Sequence, residues 1–208
     1  MVALGASGWL LYGTQVLAVR QVEVTGSVLV PPEQVQAVAG VVPGTPLARV
    51  DTAAVAAHVR SLPSVAAVDV SRSWPHTLVI EVTERTPLAV VPLSDRFAVI
   101  DGDGVVFNTV ADRPSGVVLF RLAAPGPTDP ATHSALTVFA ALTPPLRSTL
   151  VELVAESPDH IRLVLAEDRT IVWGDASRSD AKATVATALL ATDAAIIDVS
   201  VPDVATTR

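Results

Sequence analysis

The chain has no cysteine and a single lysine, Lys182, in 208 residues. Lacking cysteine, it can form no disulfide, thiolate metal site or cysteine nucleophile. Positive charge is scarce: 14 Lys and Arg stand against 21 Asp and Glu, a formal net charge of −7. That sign is wrong for phosphate-backbone binding, so no nucleic-acid partner is expected. Half of the residues are hydrophobic, which excludes global disorder. The length suits about one or two ordinary domains. All basic residues but Lys182 are Arg, a usage that suggests a GC-rich bacterial genome.

Charge is also missing from residues 1–19, MVALGASGWLLYGTQVLAV. A helix of that length would span about 28 Å, close to the hydrocarbon thickness of a bilayer. Gly5, Ser7, Gly8 and Gly13 make it weaker than an all-leucine span. No Lys or Arg precedes it, so the positive-inside rule has nothing to read. The segment reads as a membrane anchor whose basic cytoplasmic tail would precede Met1. A signal peptide or a buried core helix is the alternative, but the positive n-region and an A-x-A site are both wanting.

From Arg20 the pattern turns to short strands and helices. Val22 and Val24 alternate with polar residues, a strand that Gly26 ends. Pro31-Pro32 open a helix carrying Val35, Val38 and Ala39, closed by Gly40. Asp51 caps a second helix, with Val55, Val59 and Leu62 on one stripe and Pro63 as its stop. Strands follow around Val68–Val70 and Leu78–Val82. The order β-α-α-β-β over residues 20–84 predicts two helices on one face of a three-stranded sheet. At Glu84-Arg85-Thr86-Pro87 the strand breaks, because proline cannot donate to a ladder. A domain junction is expected there, giving domains 20–86 and 87–208.

Beyond Pro87, FAVIDGDGVVF (97–107) reads as a hairpin on an Asp-Gly-Asp-Gly turn. A strand is predicted over Gly116–Leu122, a helix from Asp129-Pro130, strands in VELVAE and IRLVLAEDRTIVW, and a helix over Ser177–Thr192. AIIDVSV (195–201) is the last predicted strand, interrupted by Pro202. The fold class is therefore α+β, the second domain being a largely antiparallel sheet with two helices.

Catalytic signals are weak. Ser179-Asp-Ala-Lys182 matches the S-x-x-K nucleophile motif of cell-wall serine enzymes, but the second lysine of K-T-G has no counterpart in a chain with one lysine. A helix first turn, with Ser177 as cap, explains the same residues. His58, His76, His133 and His160 have no metal-ligand spacing. Asp101-Gly-Asp103-Gly104 suits a turn better than a calcium loop. No catalytic residue, metal or cofactor is expected, and no small-molecule substrate.

Five pieces in order resemble the FtsQ/DivIB family of bacterial cell-division proteins, in a chain of actinobacterial-like composition. VRQVEVTGSVLVPPEQV is similar to the family's V-x-x-V-x-V-x-G opening, and GTPLARVD to its G-x-P-L-x-x-V-D link. LPSVAAVDVSRSWPHTLVIEVTERTPLAV, the most specific piece, resembles L-P-x-V…V-x-R-x-W-P-x-T-L-x-I-x-V-x-E-R-x-P. VWG with Lys182, and then IIDVSVP, are similar to its G…K…I-D-V-S-x-P ending. The resemblance implies a POTRA domain, a β-domain and one membrane pass. It implies a non-enzymatic divisome scaffold at the septum, extracytoplasmic apart from the anchor, that binds FtsB and FtsL. A partner strand is expected to pair with the last strand, Ile196, Ile197, Asp198, Val199, Ser200 and Val201, as an unpaired edge. Arg72, Trp74, Pro75, Glu84, Arg85 and Pro87 are expected to be structural: Trp74-Pro75 tightens a turn, and Glu84-Arg85 forms an interdomain pair. Two other readings remain, a POTRA-bearing transport or assembly factor and a serine enzyme of the cell wall.

Overall fold

The computed structural model describes residues 17–208. The expected membrane segment, 1–19, lies outside the described residues apart from its last three. Among the described residues no helix is long and apolar enough to cross a membrane. The chain divides into two compact units at Arg85/Thr86.

In the first unit the sheet order is β1-β3-β2, with β1 at Gln21–Thr25, β2 at Val65–Ser73 and β3 at Thr77–Glu84. β1 runs parallel to β3, and β2 is antiparallel to it. Helices α1 (Pro32–Ala39) and α2 (Thr52–Arg60) supply the apolar layer that covers the sheet. Asp51 caps α2 by accepting from the Ala53 and Ala54 amides, satisfying donors that a helix start leaves open. Val35, Leu47, Val59, Leu78 and Ile80 are fully buried at the centre of this core. Gly26 is required where β1 ends: its φ is +77°, and a Cβ there would stand 2.1 Å from the Val82 carbonyl oxygen.

The second unit is one nine-stranded sheet in the order β12-β11-β10-β9-β8-β7-β4-β5-β6. Its strands are β4 (Ala89–Pro92), β5 (Phe97–Ile100), β6 (Val106–Val110), β7 (Val118–Leu122), β8 (Leu150–Ser157), β9 (His160–Leu165), β10 (Thr170–Gly174), β11 (Ile196–Asp198) and β12 (Thr206–Thr207). The sheet is mixed rather than largely antiparallel: β4–β7, β7–β8 and β10–β11 are parallel pairs. Two of these follow from helical crossovers, which parallel neighbours require. Helices α3 (Pro130–Ala141) and α4 (Pro144–Thr149) join β7 to β8, and α5 (Ser179–Leu189) joins β10 to β11. There are thus three helices where two were expected. Helix α4 has only six residues, too few to show a helical period, and begins on Pro144-Pro145, which reads as a stop.

Phe120, Leu153, Leu163, Ile171, Trp173 and Ile197 are fully buried in the main core of this unit. The turn at 101–105 is closed by the Asp101 side chain, whose Oδ1 accepts from the amides of Asp103 and Val105. At the start of α5, Ser177 is not the cap. Its amide and hydroxyl donate to Asp175 Oδ1, and Arg178, at φ 52°, is the residue that precedes the helix. The Asp175 carboxylate competes for Ser177 and draws it out of the helix start.

Candidate partner-binding edge

β11 is short because its own side chain ends it. Asp198 Oδ1 accepts from the Ser200 amide at 2.9 Å and the Ser200 hydroxyl at 2.7 Å, an Asx turn that bends the chain out of the ladder. On the inner side Thr170, Ile171 and Val172 of β10 pair in parallel with Ile196, Ile197 and Asp198. The Val199 amide continues this contact by donating to the Val172 carbonyl at 2.9 Å. Gly174 lets the end of β10 pass the turn, since a Cβ there would lie 3.1 Å from that of Ser200.

The outer side of β11 is also occupied. After the turn at Pro202–Val204 the chain returns as β12, antiparallel to β11, with Ile197 opposite Thr207 and Asp198 opposite Thr206. Ile196 and Arg208 exchange both amide-to-carbonyl bonds at 2.9 Å each. The expectation of a bare edge over Ile196–Val201 is therefore corrected. The strand Ile196–Asp198 has a neighbour on both sides, and Val199, Ser200 and Val201 are not in a strand. The outermost ribbon among the described residues is β12. In an antiparallel ladder, residues alternate between inward and outward hydrogen bonding. Arg208 bonds inward, so Thr207 directs its N–H and C=O outward.

The edge is clamped from the residue that precedes α5. Arg178 Nη1 and Nη2 donate to Asp203 Oδ2 and Oδ1 at 2.7 and 3.0 Å. This bidentate pair fixes the turn before β12, and the guanidinium holds the Asp203 carboxyl below its usual range. The side chains of the edge divide by face. Ile197 and Val199 point into the core with no exposure. Ile196, 45% exposed, lies with Asp198, Thr206, Arg208 and Val172 around a hollow of about 190 Å³.

The S-x-x-K match lies behind this edge as a packing clamp. Trp173 Nε1 donates to Ser179 Oγ at 3.2 Å, and that hydroxyl donates to the Ala176 carbonyl at 2.8 Å. Lys182, only 1% exposed, donates from Nζ to the Asp175 carbonyl at 2.9 Å and to Asp175 Oδ1 at 2.8 Å. With the ammonium and the Ser177 hydroxyl beside it, the Asp175 carboxyl titrates at about 2. Ser179 is buried and its hydroxyl is engaged twice, which is not the setting of an accessible nucleophile.

The remaining expected residues lie in or just after the first unit. Arg72 Nε and Nη2 donate to the carbonyls of Leu47 and Val50, holding the connection between the helices. Trp74-Pro75, a cis peptide, forms the tip between β2 and β3. Among the described residues, the Glu84 bonds are all within its own unit: the carboxylate accepts from the amides of Val28, Leu29 and Val30 at 2.8–2.9 Å. Partial desolvation raises its pKa, but the Leu29, Val30 and Val28 amides outweigh that and lower it overall. Arg85 Nε donates to the Pro63 carbonyl and its amide to that of Ser64. The expectation of Glu84 as an interdomain partner is thus corrected: three consecutive amides ahead of α1 are the stronger attraction for a carboxylate. Pro87 lies between β3 and β4, where it owes no ladder bond.

Known proteins match both units. Residues 17–85 match the POTRA domain, FtsQ-type, and residues 89–200 match the C-terminal region of cell division protein FtsQ/DivIB. The chain belongs to the FtsQ/DivIB family. It is 42% identical over 205 residues to the cell division protein FtsQ of Mycolicibacterium smegmatis, covering 98% of this chain and 61% of that one. It is 41% identical to the FtsQ of Streptomyces bingchenggensis, covering 96% of this chain and 80% of the relative. The FtsQ of Mycobacterium tuberculosis H37Rv is 37% identical over 97% of this chain and 64% of its own length. The family match ends at residue 200, so β12 falls outside it. β12 was also the element missed in the sequence: two threonines supply β-branched side chains but no alternation to read.

Proposed function

We propose that the chain is a non-enzymatic scaffold of the divisome. The uncharged N-terminal segment holds it in the cytoplasmic (inner) membrane as a single pass that ends ahead of Ala18 and Val19, which pack in the folded unit, with the rest extracytoplasmic and concentrated at the septum. There it links early division proteins to late ones by binding the ectodomains of FtsB and FtsL. The partner contributes a strand that extends the nine-stranded sheet beyond β12, by β-augmentation.

One observation supports this reading above the others: the sheet ends on a two-residue strand whose Thr207 backbone groups face outward. Such a rim is a template for another chain. The adjoining hollow, with Ile196 on its wall and Arg208 and Asp198 beside it, offers one apolar and two charged contacts for side chains of an added strand. Ile196 to Val201 then serve as the base on which the docking strand is built, not as the strand the partner touches.

Titration of the chain with the combined FtsB and FtsL ectodomains tests the proposal. Saturable binding that is lost on altering β12 supports it. Absence of binding, or binding indifferent to every change between 202 and 208, contradicts it.

A further inference from the structure

Three segments converge where the described chain begins. The Val19 amide donates to the Thr45 carbonyl at 2.8 Å, and the Gly44 amide donates to the Val19 carbonyl at 3.0 Å. Ala18 forms a β-bridge with Pro46. On the other side, the amides of Arg20 and Gln21 donate to the His76 carbonyl at 2.9 and 3.4 Å. The connection 40–51 and the β2–β3 tip therefore flank Val19 and Arg20. Each carries an apolar side chain into solvent: Val42 is 67% exposed and Trp74 is 50% exposed.

These two side chains have a covalent address. Ala18 and Val19 are the last residues of the uncharged segment 1–19, yet both are buried in the folded unit. No slack chain separates the segment from the domain. If the uncharged residues ahead of Ala18 lie in a bilayer, whatever is bonded to Val19 and Arg20 is held within a few residues' reach of its boundary, at about 3.5 Å per residue. The local charge agrees with that location. Segments 17–20, 42–51 and 72–77 hold Arg20, Arg49 and Arg72 against Asp51, a balance of +2 in a chain of −7.

We propose that this end of the POTRA unit docks on the lipid surface, with Trp74 and Val42 at the headgroup boundary and Arg20 and Arg49 against anionic lipid phosphates. The inference rests on the reading of residues 1–19 as a membrane anchor. Tryptophan suits this position because its ring is apolar while its indole N–H remains solvated. Basic side chains add attraction to an anionic leaflet within a Debye length. The far end of the unit also exposes apolar side chains, Val28 and Leu29. They stand on the loop bonded to Glu84, however, remote in the fold from the chain's point of exit. Docking at one end would fix the tilt of the domain above the membrane, where an anchor alone would set only its tether.

The natural absence of cysteine permits single-site labels. The full chain, carrying an environment-sensitive fluorophore on either Val42→Cys or Val28→Cys, is inserted into vesicles of phosphatidylcholine and phosphatidylglycerol. Quenching by lipids with a nitroxide at the headgroup is then measured. We expect about threefold stronger quenching at position 42 than at position 28, and its reduction by Trp74→Ala. Equal quenching at both positions in a chain that resists carbonate extraction overturns the docking while the anchor stands. A chain that carbonate removes from the vesicles overturns the anchor and the docking with it.

Discussion

Arg208 and Ile196 bond to each other through both backbone groups, so Arg208 closes the edge that β11 would otherwise leave open. The end of the sheet is consequently moved one strand outward, from β11 to β12. A partner that pairs with the sheet meets Thr207 first. The seal is short, two residues of strand held by their bonds to β11, one turn and one ion pair, and such a terminal strand opens locally more readily than the core strands.

The ion pair gives a first prediction. Arg178→Ala frees the turn at Pro202–Val204 without touching the core. Amide exchange at Ile196 and Arg208 should accelerate by about three- to tenfold, since exchange there reports local opening of β12. The buried amides of β8 and β9 should keep their protection. Hydrogen exchange read residue by residue by NMR distinguishes the two sets.

Lys182 sets a second. Removing its ammonium leaves the Asp175 carbonyl and a half-exposed carboxylate without their partner. Lys182→Met should cost about 2–4 kcal/mol in urea unfolding, as breaking one side of a buried pair does. Ser179→Ala should cost less, about 1–1.5 kcal/mol, because it removes neutral hydrogen bonds only.

The same pair predicts a pH dependence. The Asp175 carboxyl titrates at about 2 in the folded chain, below its ordinary value of 3.8. A depressed carboxylate contributes stability that is fully present above the unfolded value and is lost as pH falls through the folded one. Stability should therefore decline as pH falls from about 4 towards 2. Urea midpoints across that window should show a shallower decline in Lys182→Met, where the principal cause of the shift is gone.

Glu84 supplies a fourth. Its carboxylate satisfies three consecutive amides that precede α1. Glu84→Ala leaves them without this acceptor and should destabilise the first unit by about 1–3 kcal/mol. Glu84→Gln keeps one acceptor oxygen and should lose less. Thermal unfolding followed by circular dichroism compares the two.

The sequence discloses elements that repeat a pattern and hides those that do not. Val55 and Val59 recur at helical spacing, and Leu78, Ile80 and Val82 at strand spacing, so α2 and β3 could be read from their residues. Asp51 announced a cap, and it is one. Pro144-Pro145 reads as a break although it opens α4, because proline fits a helix start as readily as it ends one. Ser177 looked like a cap until Asp175, two residues back, took its amide. Glu84 looked like a junction charge, but its partners at 28–30 lie more than fifty residues away, and no local pattern records such a pairing. β12 is the extreme case. Two threonines opposite Ile197 and Asp198 have no period, and only the folded sheet shows what they cover.

Thr207→Pro is the most direct test of the proposed docking edge. Proline at an edge position removes an outward N–H while leaving inward bonds to its neighbours, so β12 should persist. Val199→Pro is less suitable, since the Val199 amide bonds inward to Val172 and its loss would disturb the fold. The quantity to measure is the affinity of the combined FtsB and FtsL ectodomains for the Thr207→Pro chain, with Ile196 and Arg208 exchange confirming an intact β12. The account predicts affinity weakened by about tenfold, as one hydrogen bond and its strand register are lost. Unchanged affinity in a chain whose β12 is intact would contradict it.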